Sequence, residues 1–94
     1  MGIRTVNAFQ FRRMLEQEDV YVVDVREPQE YQSGHIPQAH NYPYDSMERW
    51  IRQLPKRKKI LLVCEYGNQS MMAARRLQQE GIEAYSLIGG LNVL

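Results

Sequence analysis

Lys59-Ile60-Leu61-Leu62-Val63-Cys64-Glu65-Tyr66-Gly67-Asn68-Gln69-Ser70, followed at once by Met71-Met72-Ala73-Ala74-Arg75-Arg76-Leu77, decides the fold of this chain. Its first third is a continuous apolar run of the kind a strand shows when both faces of a parallel sheet are covered. Its last part repeats apolar residues at helical spacing. Between them the spacing predicts a six-residue polar loop, Cys64 to Gln69, in which Gly67 and Asn68 tolerate left-handed backbone angles. Such a loop can turn successive N–H groups toward one point, and a helix starting near Ser70 aims its positive end there too. The carboxyl edge of an open α/β sheet is also where ligands bind. A thiol held in that cradle is favoured as an anion and becomes a nucleophile. The plainer alternative is an ordinary buried cysteine, since free cysteine is among the most buried residue types. That alternative gives no account of the glycine-containing loop and the helix start directly after it.

Outward from this unit the same alternation of strand and helix recurs. Thr5-Val6 reads as a short strand, and Asn7 caps a helix carrying Ala8, Phe11, Met14 and Leu15. Val20 to Val25 is a central strand, apolar on both faces. Pro28 opens a short helix over Glu27 to Tyr31 that Gly34 stops. Ala39 to Tyr42 has room for a brief strand. Ser46 is expected to cap a helix with Met47, Trp50, Ile51 and Leu54, closed by Pro55. Ser70 to Glu80 is the helix after the loop, Ala84 to Ile88 the last strand, and Gly89-Gly90 breaks it. The fold class is therefore α/β, with a mostly parallel central sheet flanked by helices on both faces.

The chain has 94 residues, which is one domain's worth, enough to bury roughly 60–65% of its extended surface. Twelve Lys and Arg stand against eleven Asp and Glu, so no overall field recruits nucleic acid or a membrane. The one basic run, Lys56-Arg57-Lys58-Lys59, reads as a solvated strand entry that could attract an acidic partner. One cysteine forms no internal disulfide, and the sequence shows no signal peptide and no long apolar span, which points to the reducing cytoplasm. One Cys with His35 and His40 is not a metal-ligand set, and no cofactor is implied.

Four stretches taken in order carry a resemblance. They are Val23-Asp24-Val25-Arg26-Glu27-Pro28 with Glu30-Tyr31, Gly34-His35-Ile36-Pro37-Gln38-Ala39 with Asn41, the loop from Cys64 to Ser70, and Gly89-Gly90. From about Thr5 to Gly90 the chain resembles a single-domain rhodanese, a thiosulfate sulfurtransferase of the family that carries sulfane sulfur on a cysteine persulfide. The resemblance implies one rhodanese-like domain over residues 1–94, with the family's final helix absent or truncated after Asn92-Val93-Leu94. It implies that Cys64 is the nucleophile and that the amides of Glu65, Tyr66, Gly67, Asn68, Gln69 and Ser70 surround its outer sulfur. It also implies a sulfur donor, either a persulfide protein or thiosulfate, and a thiol acceptor.

Asp24, Arg26, Glu30 and His35 read as structural support, with an Arg26–Glu30 pair tying the chain down one helical turn apart. Tyr66 and Met71 are expected at the pocket mouth, and Trp50 in packing. Family loops often end in Arg before the Ser, whereas this chain has Gln69 there and Glu65 beside the cysteine. A carboxylate in that place repels a dianion such as thiosulfate. The alternatives are a non-catalytic module of the same fold, against which Cys64 argues, and a cysteine phosphatase or arsenate reductase. The latter two need a roomier loop and an Arg for bidentate oxyanion contact, and no residue from Glu65 to Ser70 is basic.

Overall fold

The computed structural model describes residues 4–94. Five strands form one sheet in the order β1-β5-β4-β2-β3, and every pairing is parallel. The strands are β1 (Thr5–Val6), β2 (Val20–Asp24), β3 (His40–Asn41), β4 (Lys59–Val63) and β5 (Ala84–Leu87). The helices are α1 (Ala8–Met14), α2 (Pro28–Gln32), α3 (Met47–Trp50) and α4 (Asn68–Gln79). Short 3-10 turns flank α3, and another spans Gly90–Val93.

Strand alternation sorts the core into two layers. Ile60 and Leu62 of β4 face α3 and α4, where they pack with Trp50, Ala73, Ala74 and Leu77. Leu61 and Val63 face the other side, with Phe11 of α1 and the half-buried Tyr31 of α2. Helices thus cover both faces, which is why β4 is apolar throughout. Cys64 continues the alternation and falls on the α4 side.

Register brings the site together. Asp24 pairs with Val63, and Ile60 pairs with Ala84, so β2, β4 and β5 end level with one another. The chain leaving β2 at Val25-Arg26 and the chain leaving β5 at Ile88-Gly89 therefore flank Cys64. The Val25 amide donates to the Val63 carbonyl at 2.9 Å, extending the pairing by one residue.

Two local expectations need correction. Ser46 caps nothing: it sits in a 3-10 turn, with its hydroxyl 3.4 Å from the Pro43 carbonyl oxygen. The helix expected from Met47 to Leu54 is regular only over Met47–Trp50, with 3-10 turns on either side. A stretch this short between Pro43 and Pro55 has too few internal bonds to hold a regular helix alone. Burial of Met47, Trp50, Ile51 and Leu54 fixes it instead, with the Trp50 indole N–H donating to the Pro43 carbonyl at 2.8 Å. The second correction is at α4, which begins at Asn68 rather than near Ser70. Gly67, at φ +98°, turns the chain into the helix two residues early.

Candidate active site

The early start of α4 builds the cradle. Ser70 becomes the third residue of the helix, and first-turn N–H groups have no helical carbonyl to bond. The Ser70 amide donates to Cys64 Sγ at 3.3 Å instead, and the Gly67 amide does so at 3.1 Å. The thiol also lies 3.4 Å from Ser70 Oγ. Cys64 is only 3% exposed, so the sulfur sits at the floor of a loop rather than on the surface. Among the amides expected around it, those of Gly67 and Ser70 touch Sγ itself. Asn68 and Gln69 belong to the first turn of α4 beside them.

The loop is held from outside by the chain that follows β5. The Leu91 amide donates to the Cys64 carbonyl at 2.8 Å, and the Asn92 amide to the Glu65 carbonyl at 3.0 Å. Both loop carbonyls are thereby drawn away from the sulfur, which leaves the amide side facing it. Gly90 makes this clasp possible. A Cβ at Gly90 would stand 2.5 Å from both the Cys64 and Glu65 carbonyl oxygens. The glycine pair therefore does more than end β5, the role its composition suggests. Gly67 also packs close to it, since a Cβ there would lie 3.1 Å from the Gly89 nitrogen.

Ser86 is a site residue that sequence reasoning did not single out. It is fully buried in β5, opposite Leu62, with its hydroxyl 2.8 Å from Ser70 Oγ. Its only sequence signal was a small polar residue on the face that carries Ala84, within an otherwise apolar strand.

Arg26 is placed differently from the expectation, and the Arg26–Glu30 pair does not form. Arg26 Nε and Nη2 fork onto the fully buried Asp24 carboxylate at 2.9–3.1 Å, and Nη2 also donates to the Gly34 carbonyl at 2.8 Å. Residues two apart at a strand end share a side, so Asp24 lies closer than a residue one helical turn away. Glu30 instead accepts the Glu27 amide at 3.2 Å and helps start α2. The hydrogen bonds that Arg26 donates to the Asp24 carboxylate push the Arg26 pKa up, outweighing burial. Asn41 Nδ2 ties the same corner by donating to the carbonyls of Asp24 and Arg26.

Arg26 Nη1 reaches the Glu65 carboxylate at 3.5 Å. Glu65 thus stands beside a buried cation from outside the loop and is not an isolated negative charge at the rim. His35 stacks on Tyr31 at 3.8 Å between ring centroids, and its Nδ1 lies 2.9 Å from the Ile36 carbonyl oxygen. It supports the turn and does not approach the sulfur through any of these contacts. Tyr66 and Met71 are exposed, Tyr66 to 67%. Gln69 is exposed as well.

Among the described residues no group of three or more His, Cys, Asp or Glu could hold a metal ion, and no helix is long and apolar enough to cross a membrane.

A parallel α/β sheet with one thiol in an amide cradle at a helix N-terminus defines a class of sulfur-handling and oxyanion-handling domains. Comparison with known proteins narrows it: residues 7–93 match the model of the rhodanese-like domain, and the chain belongs to that family. It is 32% identical over 91 residues to the thiosulfate sulfurtransferase GlpE of Pseudoalteromonas translucida, covering 96% of this chain and 87% of that protein. A rhodanese homologue from Thermus thermophilus is 40% identical with a TM-score of 0.80, covering 97% of this chain and 100% of that one. A rhodanese-related protein from Thermoplasma volcanium is 30% identical with a TM-score of 0.88, covering 96% and 88%.

Proposed function

We propose that the protein is a sulfurtransferase that carries sulfane sulfur as a persulfide on Cys64. The observation that carries this reading is the convergence of the Gly67 and Ser70 amides on Cys64 Sγ. Fixed N–H dipoles at a helix start stabilise negative charge without rearranging during the reaction. They suit a reaction in which charge alternates between thiolate and persulfide and in which no base has to move a proton.

Two displacements make the cycle. The Cys64 thiolate attacks the donor's outer sulfur, an S–S bond forms on Cys64, and the donor's own bond to that sulfur breaks, its electron pair leaving with the donor as thiolate or sulfite. The terminal persulfide sulfur, now anionic, lies among the amides of residues Glu65 to Ser70. An acceptor thiolate then attacks that outer sulfur, and Cys64 leaves as thiolate again. A protein or small-molecule persulfide is the favoured donor, because Arg26 is already shared by Asp24, Gly34 and Glu65 and no loop residue supplies a free cation for a dianion such as thiosulfate. A lone reactive thiol of this kind works in a reducing compartment such as the cytoplasm. Phosphoryl transfer has less support, because the loop holds no basic residue and the nearby Arg26 is committed to Asp24 and Gly34.

Intact mass after incubation with a persulfide donor tests the reading. The wild type should gain one sulfur atom and lose it on adding a thiol acceptor, while Cys64→Ser should fold and gain none. Transfer by Cys64→Ser at the wild-type rate would overturn the assignment.

A further inference from the structure

A second feature lies at the opposite end of the sheet. β4 runs from Lys59 to Val63, so the residues that enter it are separated from Cys64 by the length of the strand, about 16 Å. There an open groove of about 750 Å³ separates the segment before β4 from the turn between α4 and β5. Its apolar part is the half-buried Pro55 and Ile82, backed by the buried Ile51 and Leu54. Along one wall stand Arg52, Lys56, Arg57 and Lys58, all exposed. Among the described residues none of these four is in an ion pair.

Two of the three carboxylates on the groove have ion-pair partners, and the third is bonded to a neutral hydroxyl. Asp19 lies 3.8 Å from Lys59, Glu80 accepts from Arg76 at 3.1 Å, and Glu83 accepts from the Tyr85 hydroxyl. The wall therefore presents Lys56, Arg57 and Lys58 without an ion-pair partner among the described residues, with Arg52 beside them and within the field of Glu48, on a chain whose overall charge is close to balanced. Solvated side chains alone explain the exposure of the lysines. They do not explain why the cations line a groove that also presents Pro55 and Ile82.

We infer that this groove docks an acidic segment of a partner protein, one that presents carboxylates on either side of a large apolar side chain. The carboxylates would meet the Arg52 and Lys56–Lys58 wall, and the apolar side chain would cover the half-buried Ile82 and Pro55. A nucleic acid fits less well. No aromatic residue lines the groove for base stacking. Because the groove and the Cys64 loop lie at opposite sheet ends, a docked partner leaves the sulfur accessible. The docking does not depend on what Cys64 does.

The test uses a fluorescein-labelled synthetic peptide of repeated Glu-Glu-Leu, titrated against the full chain by anisotropy. Saturable binding is expected, weakened at least about tenfold by about 0.5 M salt, as charge pairing requires. The double variant Arg57→Glu/Lys58→Glu, on two exposed positions, should weaken it by at least about tenfold with an unchanged melting temperature. A peptide with Ser in place of Leu should bind at least about threefold more weakly, the share of the groove's apolar part. Amide shifts of the unmodified protein should move at residues 51–59 and 80–83 and stay fixed at Cys64 to Ser70. Absence of binding at millimolar peptide, binding indifferent to the charge reversal or to salt, equal binding of the Ser peptide, shifts centred on the Cys64 loop, or tighter binding of single-stranded RNA of equal charge would each overturn the inference.

Discussion

The hydroxyl of Ser86 lies 2.8 Å from that of Ser70, and Ser70 Oγ lies 3.4 Å from Cys64 Sγ. Ser70 has a single proton and three neighbours for it, because its hydroxyl also lies 3.2 Å from the Gly67 carbonyl oxygen. When the sulfur is a thiolate, a proton donated from Ser86 to Ser70 leaves Ser70 free to donate to the sulfur. Hydrogen bonds aligned in this way strengthen one another. Ser86→Ala should therefore slow alkylation of Cys64 by a neutral reagent about threefold, within the strength of one net hydrogen bond. In a Ser70→Ala background the same change should have no further effect. Equal slowing in both backgrounds would show that Ser86 does not act through Ser70.

Glu65 sets the charge at the cradle's rim jointly with Arg26. Glu65→Gln removes the carboxylate and leaves Arg26 Nη1 without its outer partner. The expected result is a rise in kcat/KM for thiosulfate of about tenfold, equivalent to about 1.4 kcal/mol, with a smaller change for a monoanionic persulfide donor. Gln69→Arg should act in the same direction. An equal gain for both donors would mean that Glu65 acts on the sulfur itself rather than on donor charge.

Arg26→Ala should lower stability by about 3–5 kcal/mol, because it strands the fully buried Asp24 carboxylate. The denaturant midpoint measures this. Asp24→Asn together with Arg26→Ala should recover part of the loss, since no buried charge is then left alone. The folded fraction of Arg26→Ala should still accept one sulfur on Cys64. Unchanged stability with abolished loading would make Arg26 part of the chemistry.

Burial, then the hydrogen bond with the Tyr42 hydroxyl at 2.9 Å, pushes the Tyr21 pKa up to about 12. A group whose folded pKa is raised stabilises the fold fully below its unfolded value, and that share is lost as pH rises through the folded value. The window runs from about 10 to about 12. Tyr21→Phe should lose less stability than the wild type across that window, measured by urea unfolding at each pH. Parallel curves for the two proteins would remove Tyr21 from the alkaline transition.

The sheet and the sulfur loop were legible because their signals are local. An unbroken apolar run, a glycine in a polar loop and a helix start follow each other from Ile60 to Ala74 without interruption. What stayed hidden depends on register. Glu30 looked like the partner of Arg26 because helical spacing suggested it, whereas the end of β2 puts Asp24 on the same side. Ser86 gained its meaning only once β5 lay beside β4 and under α4. The clasp at Gly90 joins backbone groups of residues far apart in sequence, and amides and carbonyls carry no residue identity to read. The start of α4 turned on one backbone angle at Gly67.

The clasp on the Cys64 and Glu65 carbonyls has a consequence for the protein's biogenesis. The amides that make it belong to Leu91 and Asn92, beyond β5, so the ribosome delivers the thiol well before it delivers the groups that shape the loop around it. A nascent chain, or a fragment cut after α4, would hold the cysteine without the carbonyls drawn aside. The cradle around the thiol is thereby completed only once the turn after β5 has docked against the loop.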